Sequence, residues 1–306
     1  MTIQLKTPVA FIIFNRPKCT RRVFAEIRKA RPQKLYLIAD GPRPHKQGEA
    51  EICVETRQLV EDMIDWPCEV HKDYSEKNMG CRWRVVSGIN NVFKNEERAI
   101  ILEDDCLPSQ SFFPFCEEML ERYKDEERIM QVCGTNKLNY KPTSQDSYFF
   151  SRYAPIWGWA TWRRAWNLYD PTLAAWPKDK DIKAIHNYSY PEVVCHTREH
   201  QLDLIYRGEL DTWDFGWMYT FMQHNGIAII PCSNLIRNIG FALTATHTMN
   251  PFSMDAIRAR KDLPKPYRAP LDLNVEVKHD KLYVKRVFLS KVAFIRQCIS
   301  RLNWFS

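Results

Sequence analysis

The stretch Ala99 to Leu107, A-I-I-L-E-D-D-C-L, constrains this chain more than any other. Ala99 to Leu102 is an apolar run with two isoleucines, the right length for a buried strand and too short for a self-sufficient helix. Glu103, Asp104 and Asp105 follow with no linker. Three carboxylates at the end of a buried strand repel one another and lose hydration. A divalent cation relieves that repulsion, and hard cations prefer oxygen ligands. Strand ends are also where open α/β sheets place their ligands. The plain alternative is an acidic loop, with Pro108-Ser109 opening the next helix.

The flanking sequence predicts the sheet that such a strand needs. Pro8 to Phe14 reads as a buried first strand ended by Asn15-Arg16-Pro17, with a helix over Thr20 to Lys29. Lys34 to Ala39 reads as a second strand, stopped by Asp40-Gly41-Pro42, and Glu49 to Ile64 as a helix. Cys68 to Asp73 is a candidate third strand. Asn78-Met79-Gly80 is a turn and Arg82 to Phe93 a helix. Strands alternating with helices predict a mostly parallel sheet. Polar punctuation falls at the C-terminal end of each strand, where a doubly wound sheet builds a nucleotide site.

Beyond the acids, Phe112 to Arg122 reads as a helix and Ile129 to Val132 as a strand, followed by a loop from Gly134 to Asp146. Tyr153 to Trp162 carries three tryptophans around Gly158. They are either core or indole faces for a sugar ring, with Gly158 letting a ligand approach the backbone. Asp211 to Trp217 opens a helix running from Met218 to His224. Ile227 to Pro231 is a strand, and a loop begins at Asn238-Ile239-Gly240 and reaches His247.

Composition narrows the class. With 306 residues, 45% hydrophobic and 26% charged, the chain can bury a substantial core. No apolar run reaches the roughly 20 residues of a membrane span, and Met1 to Lys6 does not begin a signal peptide. The ten cysteines are scattered with no C-x-x-C pair, which fits reduced thiols in a cytoplasmic setting. The net charge of +7 is concentrated at the end, because residues 277–306 hold seven Lys or Arg against Asp280 alone. The rest is close to neutral, which argues against a nucleic-acid binder.

The order strand-Asn-Arg, strand-Asp-Gly, strand-Glu-Asp-Asp, Gly-Trp, Trp-Asp before a helix and a late His loop resembles the GT-A glycosyltransferases. The likeness is greatest to the inverting N-acetylglucosaminyltransferase I family and its bacterial relatives. It covers roughly Pro8 to Thr248, and its most specific piece is I-L-E-D-D-C-L-P-S-Q-S-F-F-P-F. The resemblance implies a GT-A fold, a mostly parallel Rossmann-like sheet flanked by helices. It implies a nucleotide-binding half over residues 1–133 and an acceptor and catalytic half over 134–250. It also implies a metal-dependent, inverting transfer of sugar from a nucleotide diphosphate donor of the UDP type to a glycan hydroxyl.

Carried over by position, Arg16 and Asp40 would hold the nucleotide base. Glu103 and Asp104 would face the ribose, and Asp105 would ligate Mn²⁺ or Mg²⁺. Gly158 and Trp159 would border the donor sugar, Asp214 would be the catalytic base, and His247 is a weaker second metal ligand. Where the family has Trp-Asp-Asp-Trp, this chain has Trp213-Asp214-Phe215-Gly216-Trp217, so Asp211 is a second candidate for the base. The chemistry agrees: a diphosphate leaving group needs neutralising, and the acceptor hydroxyl needs a base.

Two other readings compete. A non-catalytic sugar-nucleotide binder would keep Asp105 and lose the base. His196-Thr197-Arg198-Glu199-His200 matches the H-x-x-E-H pattern of a zinc peptidase, which suits the α/β opening poorly. A nucleotidyltransferase would be expected to carry glycines after its first strand, and Phe14-Asn15-Arg16-Pro17 has none.

Residues 251–276 are Pro-rich and charged and read as a linker. In the segment 277–306, Phe288, Val292, Ile295, Ile299 and Leu302 would form one apolar stripe on a basic amphipathic helix. That helix either packs on the domain or lies on an anionic inner membrane face, near a lipid-linked glycan acceptor.

Overall fold

A computed structural model of the chain describes residues 4–176, 182–188, 191–240 and 258–289. The strands are β1 (Val9–Ile13), β2 (Lys34–Ala39), β3 (Glu69–Tyr74), β4 (Arg98–Glu103), β5 (Cys106–Pro108), β6 (Ile129–Cys133), β7 (Tyr148–Ser151), β8 (Trp159–Trp162), β9 (Ile227–Pro231) and β10 (Ile236–Asn238). The helices are α1 (Pro17–Ala30), α2 (Glu49–Asp62), α3 (Gly80–Asn95), α4 (Phe112–Arg122), α5 (Arg163–Trp166), α6 (Ile182–Asn187), α7 (Glu192–Tyr206), α8 (Asp214–Gln223) and α9 (Val277–Tyr283).

Eight strands form one sheet in the order β3-β2-β1-β4-β8-β6-β9-β7. The first four are parallel. β8 runs antiparallel between β4 and β6, and β7 runs antiparallel at the far edge. This is the Rossmann-like α/β architecture that the alternation of strands and helices predicts. A second ribbon pairs β5 with β10 antiparallel, Cys106 opposite Asn238 and Pro108 opposite Ile236.

The continuous apolar run of β1 arises because helices cover both faces of the sheet. Side chains alternate across a strand. Ala10 and Ile12 therefore join one core with Tyr36, Ile38 and Ile101, while Val9, Phe11 and Ile13 join the other with Leu35, Leu37 and Leu102. Helix α1 starts earlier than Thr20, at Pro17, whose missing N–H costs nothing at a first helical position. It ends at Arg31, which takes the left-handed conformation that closes many helices.

Residues 258–276, expected to belong to a linker, run against the body instead. Tyr267 and Leu263 are buried, and the Asp262 carboxylate accepts from the Ser111 amide at 3.1 Å. Val275 bridges β7 at Phe150. The described start of the basic C-terminal helix also packs on the body: Tyr283 stacks on Tyr153 with ring centroids 4.8 Å apart, and Phe288 lies against Tyr153 as well. The remaining stripe residues, Val292, Ile295, Ile299 and Leu302, lie outside the described residues. No helix among the described residues is long and apolar enough to cross a membrane.

Candidate active site

The acids stand where β4 leaves the sheet. Glu103 is its last residue, paired with Ile12 of β1, and Arg16 reaches across from the end of β1. The Arg16 guanidinium donates to Asp104 Oδ1 at 2.5 Å and to Asp105 Oδ2 at 3.1 Å. Burial opposes its charge, but the two aspartates outweigh that and raise its pKa. The second Asp104 oxygen, Oδ2, is buried and has no partner. Burial, then the charges of Asp105 and Asp104, push the Glu103 carboxyl well above the usual range. Burial pushes Asp104 up too, with Arg16 offsetting part of the effect. The repulsion expected from the acidic triplet is therefore present, and one guanidinium relieves only part of it.

Two structural features of this corner had no counterpart in the sequence reading. The β5–β10 ribbon lays the segment after β9 along the acids, and the Ile239 amide donates to the Asp105 carbonyl at 2.8 Å. Gly240 follows, and a Cβ built there would lie 2.4 Å from Asp105 Oδ2 and 3.0 Å from Arg16 Nη1. Only glycine allows the chain to pass that close. The turn signal Asn238-Ile239-Gly240 was visible, but the strand pairing that aims it was not. His247 lies outside the described residues.

Asp40 is placed at the start of α3 and is fully engaged. Oδ1 accepts from the amides of Gly41 (2.9 Å) and Met79 (2.8 Å), and Oδ2 from Gly80 N (3.1 Å) and Asn78 Nδ2 (3.0 Å). A carboxylate has about four lone-pair sites, so Asp40 has none left for a nucleotide base. Its pKa is raised by burial against the pull of these amides. Asp211 takes the next two amides of the same helix end, accepting from Cys81 N at 2.7 Å and Arg82 N at 2.9 Å. The two aspartates thus satisfy the four amides that a helix start leaves unpaired.

Asp214 is left as the carboxylate without a backbone duty. It opens α8 and accepts from the Thr212 hydroxyl at 2.5 Å. Its neighbours fix it. Trp213 stacks on Trp159 with centroids 5.5 Å apart, Tyr169 Oη donates to the Trp213 carbonyl at 3.0 Å, and Trp217 Nε1 donates to the buried Gln131 at 2.8 Å. The charge of Asp214 contributes to raising Glu103. The Cys81 thiol is pushed up first by burial and then by Glu103, Asp211, Asp214 and Asp40, so these carboxylates share one neighbourhood.

Trp159, expected beside the donor sugar, is 1% exposed. Its indole is committed to a core cluster with Trp166, Trp213 and Trp217, so the core alternative for this tryptophan holds and no ring face is open to a ligand. Gly158 takes a positive φ of 58°, and a Cβ there would collide with Ile236 at 2.5 Å. Close packing under β10 accounts for this glycine.

Among the described residues no three His, Cys, Asp or Glu are grouped to hold a metal ion by themselves. The described residues thus supply no three-ligand cage of the kind an H-x-x-E-H peptidase needs, and Glu199 lies 3.6 Å from His186. It does not exclude a Mg²⁺-like ion, which binds through one or two carboxylates with substrate phosphates and water supplying the rest. The residues fit that mode: hard oxygen donors, excess negative charge and an unpartnered buried oxygen on Asp104.

No protein-family model matches the chain, and no curated protein matches it. Among solved structures it is similar to a UDP-glucose pyrophosphorylase complexed with UDP-glucose, at 9% identity and a TM-score of 0.32, over 54% of this chain and 81% of that one. A second is a 4-diphosphocytidyl-2C-methyl-D-erythritol synthase from Anaerococcus prevotii, at 11% identity and a TM-score of 0.30, over 53% and 74%. An apo UDP-glucose pyrophosphorylase matches at 9% identity and 0.30, over 52% and 79%. Similarities this distant carry no argument about what the chain binds.

Proposed function

We propose that this chain is a GT-A glycosyltransferase that moves a sugar, with inversion, from a nucleotide diphosphate sugar of the UDP type to a hydroxyl of a glycan acceptor. The observation that carries the reading is the pairing of two kinds of carboxylate. An under-neutralised cluster, Glu103-Asp104-Asp105, ends a central parallel strand, and a separate carboxylate, Asp214, sits nearby with no backbone group to cap.

In this reading Asp105 would hold Mn²⁺ or Mg²⁺, which would supply positive charge to stabilise the departing nucleotide diphosphate. Arg16 adds a fixed positive charge in the same corner. Asp214 accepts the acceptor's hydroxyl proton as the oxygen bonds to the anomeric carbon and the bond to phosphate breaks. Asp211 is the weaker candidate for the base, because its two oxygens hold the start of α3. The base-binding role expected of Asp40 is likewise at odds with its four occupied acceptor sites, which leaves the nucleotide to be held by other groups.

The test is a panel of UDP-, GDP-, CMP- and dTDP-sugars incubated with the purified chain, with Mn²⁺, Mg²⁺ or EDTA. Release of nucleotide diphosphate from one donor class, dependent on the cation and lost in Asp105→Ala, is the expected result. No release from any donor and no thermal shift with any of them would overturn it.

A further inference from the structure

The indole expected to meet a sugar is buried, but another is not. Among the described residues Trp83 is the tryptophan with a largely open surface, 44% exposed, whereas Trp157 is half-buried under Lys137 and Trp66, Trp159, Trp162, Trp166, Trp176, Trp213 and Trp217 are buried. Trp83 stands in the first turn of α3, next to Arg82, the residue whose amide Asp211 holds.

Its surroundings are organised around one buried guanidinium. The Arg82 side chain lies 4.9 Å from the Trp83 ring centroid. It also donates to the Ile205 carbonyl at 2.9 Å and to the Pro171 carbonyl, tying the ends of these segments to α3. Tyr206, next to Ile205, is 46% exposed, and Met79, one helical turn before Trp83, is also exposed. Scattered apolar residues on a surface need no explanation, and Ile52 and Val54 on α2 are of that kind. Trp83 differs from these: its indole is held by a cation–π contact at the start of the helix whose amides Asp40 and Asp211 hold.

We propose that Trp83 is the subsite on which a pyranose ring of the acceptor glycan stacks. This rests on the glycosyl-transfer reading. A pyranose presents C–H groups on its faces and hydroxyls around its edge. The indole face matches the first, and Asp211, which holds the adjacent Arg82 amide and has lone pairs to spare, accepts from the second. The fixed Arg82 contact pre-orders the ring, so little side-chain freedom is lost on binding.

The experiment has two arms. In the first, maltotriose, cellotriose and chitotriose are titrated into the donor-free protein while tryptophan fluorescence is read. One of them should perturb the emission of the wild type, and titration calorimetry should show that sugar binding more weakly to Trp83→Phe and without detectable heat to Trp83→Ala. In the second, with the donor identified above, Trp83→Ala should raise the acceptor KM roughly tenfold, the loss of one aromatic face. Trp83→Phe should recover most of it, and acceptor-independent donor hydrolysis should be unchanged in both variants. An acceptor KM unaltered in Trp83→Ala, or no oligosaccharide response in the wild type, would overturn the proposal. If the wild type hydrolyses no donor, the glycosyl-transfer reading fails by itself, and the fluorescence arm still decides whether Trp83 binds a carbohydrate.

Discussion

Asp40 and Asp211 hold the same helix end: Asp40 accepts from the amides of Met79 and Gly80, and Asp211 from those of Cys81 and Arg82. One aspartate follows β2 and the other precedes α8, so the start of α3 ties the end of β2 to the connection before α8. The arrangement also separates two acids that the sequence could not rank. Asp211 is engaged in capping by this geometry, and Asp214 is the remaining candidate for the base.

The two should therefore fail differently on substitution. Asp211→Ala should lower stability by about 1–2 kcal/mol, the usual cost of losing a helix cap, seen as a reduced midpoint in urea with an unchanged slope. Asp214→Asn should leave that midpoint in place and lower kcat by roughly 10²–10⁴, with donor binding retained. A stable, fully active Asp214→Asn beside an inactive but stable Asp211→Asn would transfer the role to Asp211.

Asp105→Ala should remove cation-dependent donor hydrolysis while the protein melts normally, since β4 ends before it. A second readout is the thermal shift produced by UDP with Mn²⁺ over UDP alone, which should vanish in the variant. Persistence of that shift would place the cation elsewhere.

Trp159→Ala should cost about 3–5 kcal/mol, as removal of a large aromatic from a packed core does. Trp159→Phe should be milder and should leave the donor KM within about twofold, because the ring has no open face. A large donor KM effect in a stable Trp159→Phe protein would return the residue to the sugar site.

Glu49 makes an acid-stability prediction. Hydrogen bonds from the Arg43 side chain lower its pKa to about 2, against the opposing effect of burial, with the Arg43 amide and Asn15 adding to the lowering. A carboxyl depressed in the folded state contributes stability that is complete above its unfolded pKa, about 4.3, and is lost as pH falls toward the folded value. Wild-type stability should thus drop between about pH 4.5 and pH 2. Glu49→Gln should flatten that part of the curve, as measured by urea unfolding at successive pH values.

Much of the scaffold was legible because its cause is local. Apolar runs such as Val9–Ile13 and Lys34–Ala39 are buried on both faces, so they announce strands without reference to partners. The acidic triplet after β4 could be read from adjacency alone. The strand Tyr148–Ser151 and the β5–β10 ribbon were not legible, since pairing with β9 and with each other, not propensity, makes them strands.

Sequence by itself determined an alternating α/β chain whose charged residues collect at strand ends, because strand burial and punctuation are written in neighbouring residues. Tertiary structure decided what those charges do. Asp40, Asp211 and Asp214 look alike in a sequence, and only the position of four backbone amides at the start of α3 makes two of them caps. Likewise every tryptophan is an equal candidate for a sugar face until packing buries Trp159 and leaves Trp83 open. Long-range contacts set burial and hydrogen-bond partners, and these are what separate a binding side chain from a structural one.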